Sequence, residues 1–221
     1  MFIAEQPILQ DFQTFLDYFD TEKGIELTKT KRVPKTTDLL KLNEQFHFKA
    51  PHVNNKSQIR LFSLLNAFFH ISKVSELTQI RKEKGKFHLF INPEKVAQLQ
   101  TFSAEEQYFF LLESFWSYID WDEAYDIRAF WDKDFYKQLL KQAEGKWVPV
   151  EGRDIKRKGK LTPPMEIPVV EVFAAFGFLE LMWDDTVEKR PNKYSFPYKL
   201  AAITALGKVM LPIIIDQRPP Y

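Results

Sequence analysis

The sequence predicts a mainly α protein of the α+β class, built as two halves that each carry one small antiparallel β-hairpin. Three observations lead there. An amphipathic helix, a strand, a charged turn, a second strand and a short capped helix follow one another over about residues 57–100, and the same order returns over about residues 166–211. Apolar residues recur at helical spacing through most of the remaining chain. The 221 residues are 45% hydrophobic and include 21 Phe, enough to fill a sizeable core rather than leave the chain disordered. The two copies share order and element lengths but little residue identity, so the repeat is one of architecture.

In chain order, Ile8, Phe12, Phe15, Leu16 and Phe19 mark a first helix that ends between Asp20 and Gly24. Ile25-Glu-Leu-Thr28 alternates like a short edge strand. Pro34 is expected to open a second helix, whose apolar stripe is Leu39, Leu42 and Phe46. A third helix runs from Ser57 to about Lys73, with Phe62, Leu65, Phe68 and Phe69 inward. Glu76–Ile80 and Phe87–Ile91 read as strands around the charged turn Arg81–Lys86, in which Gly85 supplies positive φ. Asn92-Pro93 starts a helix, and Ser103-Ala-Glu-Glu106 fits a capping box ahead of a helix to Ile119. A further helix is expected over about Glu123–Ala143.

Residues 146–165, with three Pro, two Gly and a basic run, read as a linker. The expected division is therefore 1–145, linker 146–165 and 166–221, with a single compact unit as the alternative. In the last part, Val169, Val172, Phe173 and Phe176 mark a helix face that leaves Glu171, Ala174 and Ala175 outward, and Gly177 stands at C′. Phe178–Trp183 and Tyr194–Ile203 read as strands around a mixed-charge turn from Asp184 to Lys193, with Pro197 suited to an edge or bulge. Thr204 caps a helix expected to stop at Leu211, before Pro212.

Several function classes are set aside by composition. The absence of Cys excludes disulfides, thiolate metal sites and thiol catalysis. No stretch approaches the ~20 apolar residues of a membrane span, and the N-terminal residues lack a leader pattern, so cytoplasmic residence is the expectation. There is no phosphate-cradling Gly-rich loop and no nucleophile elbow. Asp120, Asp122, Glu123 and Asp126 form the tightest carboxylate cluster; it suits either a hard cation or the positive end of a helix dipole, and the second use is the commoner. His47 and His52 share a loop without a neighbouring ligand set in sequence. Trp116, Trp121 and Trp131, with Phe115 and Phe130, suit core packing or an apolar cavity. The expectation is a non-enzyme with no cofactor and no metal.

Gly177-Phe-Leu-Glu-Leu, followed by Tyr198-Lys-Leu-Ala-Ala-Ile-Thr-Ala-Leu-Gly207, resembles the wing and closing helix of winged helix-turn-helix proteins, with Ile203, Thr204, Leu206 and Gly207 matching their closing phrase. The resemblance implies two winged-helix-like halves and binding to DNA or to proteins. Ile25–Pro34, the loop to Leu61 and Glu106–Trp116 resemble part of the bacterial plasmid open-reading-frame-three-like proteins, which implies a bacterial cytoplasmic origin and no particular activity.

The formal net charge is only +1, but it is unevenly spread. Residues 1–100 carry 15 Lys and Arg against 11 Asp and Glu, a net of +4; residues 101–221 carry 16 against 19, a net of −3. A polyanion contact therefore belongs to the first half. The third-helix stripe places Arg60, Ser63, Asn66, His70 and Lys73 outward. Of these, Arg60, Asn66 and Lys73 are candidate groove residues, since Asn can read adenine and Arg can read guanine or hold phosphate. Arg81, Lys82, Lys84 and Lys86 are candidate phosphate contacts, and Lys29, Lys31, Arg32 and Lys35 reinforce them. The basic run Arg153–Lys160 suits a solubilising linker or a non-specific phosphate contact. Duplex DNA through the first half is thus the partner expected, with a protein partner or self-association as the alternative. Ordinary solvated charge would account for the same residues.

Overall fold

The computed structural model describes residues 6–50, 53–125, 133–150, 167–183 and 198–216. It combines helices with two small three-stranded antiparallel sheets, and the chain separates into two compact units, one within Met1–Asp126 and one within Ile127–Arg218. The second unit thus begins before the expected linker, and Val148–Pro149 of that linker form a strand. Residues 151–165, with their basic run, lie outside the described residues, as do Asp126, Phe130, Trp131, His52 and the Asp184–Lys193 turn.

The first unit runs α1 (Pro7–Phe19), β1 (Ile25–Glu26), α2 (Thr36–Gln45), a 3₁₀ turn (Ile59–Leu61), α3 (Ser63–Val74), β2 (Thr78–Glu83), β3 (Lys86–Ile91), α4 (Pro93–Gln100), α5 (Ala104–Glu113), a π-helical turn (Ser114–Tyr118) and α6 (Trp121–Tyr125). Its sheet order is β1-β3-β2. The expected caps form. Asn92 accepts from the Lys95 N–H, and Ser103 and Glu106 complete a reciprocal capping box. Pro34 does not open α2; it bridges to Leu27, and α2 starts two residues later.

The core of this unit centres on Phe68 of α3. Its ring lies 5.0 Å from Phe12, 5.9 Å from Phe15 and 5.7 Å from Phe46, so α1 and the residue that ends α2 meet on one side chain. The opposite side of α3 is covered by the π-turn and α6. Every residue from Ser63 to Ser72 is consequently buried.

The second unit runs α7 (Lys133–Leu140), β4 (Val148–Pro149), α8 (Ile167–Ala175), β5 (Leu179–Trp183), β6 (Tyr198–Ile203) and α9 (Ala205–Asp216) among the described residues, with sheet order β4-β6-β5. Among the described residues both units have a short strand that pairs with the second strand of a later hairpin, a helix directly before that hairpin and a closing helix after it; the first unit carries α2 as well between its short strand and α3. The expected outward face of α8 is buried instead. Glu171, Ala174 and Ala175 are all buried, and Glu171 accepts a 2.7 Å hydrogen bond from the Tyr198 hydroxyl. Burial and that carboxylate together push the Tyr198 phenol well above its ordinary pKa.

The closing phrase is explained by packing. Thr204 Oγ1 donates to the Gly177 carbonyl and accepts from the Gly207 N–H, capping α9 and tying it to the start of β5. Gly207 is where α9 crosses the Phe178 carbonyl, and a Cβ there would lie 2.0 Å from that oxygen. Lys208 Nζ donates to the Leu140 and Gln142 carbonyls at the end of α7. With these anchors the helix passes through Pro212 and continues to Asp216 rather than stopping at Leu211.

Two substitutions test these packing arguments by denaturant unfolding. Phe68→Ala is expected to cost about 4 kcal/mol through the cavity it opens. Gly207→Ala is expected to cost on the order of 3 kcal/mol, because its new methyl meets backbone. A change under about 0.5 kcal/mol in either variant would refute the corresponding contact.

Candidate nucleic-acid interface

The β2–β3 hairpin is longer and tighter than the sequence suggests. Arg81 and Lys82 lie in β2 and Lys86 begins β3, because Glu83 pairs with Lys86 across a two-residue turn. Lys84 (φ 48°) and Gly85 (φ 82°) both take left-handed backbone, the combination a type I′ turn requires. The strand β1 adds to the far side of β3, with Ile25 opposite Leu89 and Glu26 opposite His88. The chain then turns back through 28–33, closed by Thr28 N–H to Val33 carbonyl and by the Leu27–Pro34 bridge. Arg32, also left-handed (φ 53°), places its guanidinium 4.3 Å from the Phe87 ring centre.

Two basic turns distant in sequence thereby meet on one sheet. One face carries Phe87 between Arg32 and Lys82, whose Nζ lies 5.9 Å from the ring. The other carries Phe90 with Arg81 at 5.2 Å, and Arg81 also donates to the Gln79 side chain. Lys29, Lys31, Arg32, Arg81, Lys82, Lys84 and Lys86 are exposed. Glu26 accepts from Lys35 at 2.8 Å and from Lys86 at 2.7 Å, and these two ammonium groups pull its carboxyl down to about 2. Lys86 is thus partly neutralised, whereas Lys84 projects from the hairpin tip.

The candidate groove residues do not join this surface. Asn66 is fully buried and donates 2.7 Å to the Ala124 carbonyl, so it cannot reach a base edge. Ser63 and His70 are buried as well, and Tyr125 donates to the Ser63 carbonyl. Arg60 is half-buried in the 3₁₀ turn, off the helix. Lys73 is half-buried and paired with Glu123 at 3.2 Å. The sequence stripe of α3 predicts an amphipathic helix, but α6 covers its polar side. Burial, reinforced by Lys73, pushes the His70 imidazole down to about 4, against the opposing pull of Glu123 and Asp120.

The other candidates resolve into structural roles. Asp120 caps α6 by accepting from the Asp122 and Glu123 N–H groups. Among the described residues no group of three or more His, Asp or Glu is placed to hold a metal. His47 does have an acidic partner, one the sequence did not reveal. Buried Asp11, 36 residues earlier, accepts from the His47 and Phe48 N–H groups and lies 2.8 Å from His47 Nδ1. Trp116 and Trp121 pack edge to face at 5.1 Å, and no helix among the described residues is long and apolar enough to cross a membrane.

The chain matches no protein-family model, no curated protein and no solved structure.

His70 makes the cover over α3 measurable. Its pKa is lower folded than unfolded, so the unfolded chain binds more protons between about 6.5 and 4. Unfolding free energy should therefore be full above pH 6.5 and fall as the pH drops to 4, by on the order of 3 kcal/mol from this residue. A His70→Gln variant should lose that part of the slope in denaturant titrations at pH 7 and pH 5. An unchanged slope would refute the buried neutral imidazole.

Proposed function

We propose that the first unit is a winged-helix-like, non-catalytic module that holds duplex DNA by its phosphates through the β1–β3–β2 sheet. The order α1, β1, α2, α3, β2, β3 and the sheet order β1-β3-β2 support the winged-helix reading. The same sheet order and an equivalent hairpin with closing helix support it for the second unit. The observation that carries the DNA reading is the convergence of the 28–33 turn and the hairpin on Phe87, which gathers exposed cations from two parts of the chain. Buried α3 argues that this contact reads backbone charge rather than base edges. Affinity should then fall steeply with salt and depend little on sequence.

A protein-interaction role is the second reading. It is favoured by Phe102 and Phe109, which are 38% and 46% exposed on a different part of the same unit.

Fluorescence anisotropy with two unrelated duplexes, at low and physiological salt, tests the DNA reading. Both duplexes should bind alike. A Lys29→Glu/Lys82→Glu/Lys84→Asn variant should weaken binding at least about tenfold and reduce the salt slope by about one for each cation lost from a phosphate. Asn at 84 keeps the left-handed turn. Absence of binding at low salt, or full binding by the variant, would overturn the reading.

A further inference from the structure

From residue 96 to residue 127 the chain contains no Lys or Arg and seven carboxylates. Three of them, Glu105, Glu106 and Glu113, are exposed along α5. Helical spacing sets them three or four residues from Phe109, which is 46% exposed. Phe102 is 38% exposed and meets half-buried Phe110 edge to face at 6.4 Å, adding a second exposed ring just ahead of the helix start. The capping box fixes this end of α5, and Gln107 Nε2 donates to the Phe102 carbonyl, so the patch is held in place. An aromatic ring flanked by carboxylates on one helix is the charge-reversed counterpart of Phe87 between Arg32 and Lys82. Both surfaces belong to the first unit, where α1 packs against β3 and separately against α5. The two patches lie on different elements, the β1–β3–β2 sheet and α5.

We propose that the acid-rimmed aromatic face of α5 docks the basic wing sheet of a second copy of this chain. In the proposed arrangement each contact joins the α5 face of one copy to the wing sheet of the next, head to tail, so that each end of an assembly keeps one unoccupied surface. Association grows past the dimer with protein concentration and weakens with salt, since rim charges set much of its strength. The interaction needs no nucleic acid, and its outcome is independent of the DNA reading; both nevertheless draw on the same cations.

Sedimentation velocity on the full chain, without nucleic acid, tests it. Wild type is expected to show concentration-dependent species beyond the dimer at low salt, with affinity reduced at least about tenfold at physiological salt. Glu105→Lys/Glu113→Lys, which spares the capping Glu106, should be monomeric alone. Lys82→Glu/Lys84→Asp should also be monomeric alone. A mixture of the two should form a species that stops at the dimer, because each retains one intact surface. Phe109→Ser should weaken association with its charges intact. Circular dichroism and thermal unfolding of each variant verify that the fold persists. A wild type that stays monomeric at all concentrations, association that survives both charge reversals, or a mixture of folded variants that fails to dimerise would overturn the proposal.

Discussion

The first unit depends on the burial of α3 from both sides. Phe68 joins α1 and α2 to one flank, and the π-turn with α6 closes the other. A helix enclosed in this way cannot keep a polar stripe in water, so each polar residue on it must find a protein partner or lose its charge. Asn66 finds the Ala124 carbonyl, Lys73 finds Glu123, and His70 is held neutral. The Asn66 Oδ1 remains buried without a hydrogen bond. These costs are tolerated because the same cover buries Phe115, Trp116, Trp121 and Tyr125, whose apolar area outweighs one unsatisfied oxygen.

Enclosing α3 leaves the exposed cations of the first unit's sheet, rather than this helix, as the basis of the DNA reading proposed above. A two-residue hairpin and a neighbouring loop can present many cations with little buried charge, since the side chains lie over aromatic faces and keep water on their outer side. Glu26 has a specific place in that arrangement. Its carboxylate gathers Lys35 and Lys86, fixing β1 to β3 at the expense of two charges otherwise available to a ligand. The exposed positions that remain, above all Lys84 and the 28–33 turn, carry the positive field.

The second unit repeats the strand, hairpin and closing-helix scheme with different chemistry. Thr204, Gly207 and Lys208 lie within five residues and lock α9 against β5 and the end of α7. Its helix before the hairpin, α8, is also buried, and Glu171 on it is accommodated by Tyr198. Equal topology here rests on backbone pairing and close approach, which tolerate nearly complete change of side chains; that is why the two copies share order without identity.

Local signals in the sequence determined a good deal. The caps at Asn92, Ser103 and Thr204, the positive-φ position at Gly85 and the helical stripe of α1 depend on residues a few positions apart, so their physics is complete within a short window. Tertiary structure decided the rest. Asn66 and His70 look like the wet side of an amphipathic helix until α6, some 50 residues later, covers them. Arg32 and Lys82 become one surface only because β1 pairs with β3, and Asp11 finds His47 across 36 residues. Pro212 breaks a helix on its own terms but not one already anchored at Thr204 and Lys208. The sequence specifies which residues are charged, apolar or capping; which of them face water depends on non-local packing, and periodicity within one helix carries no record of what lies against its second face.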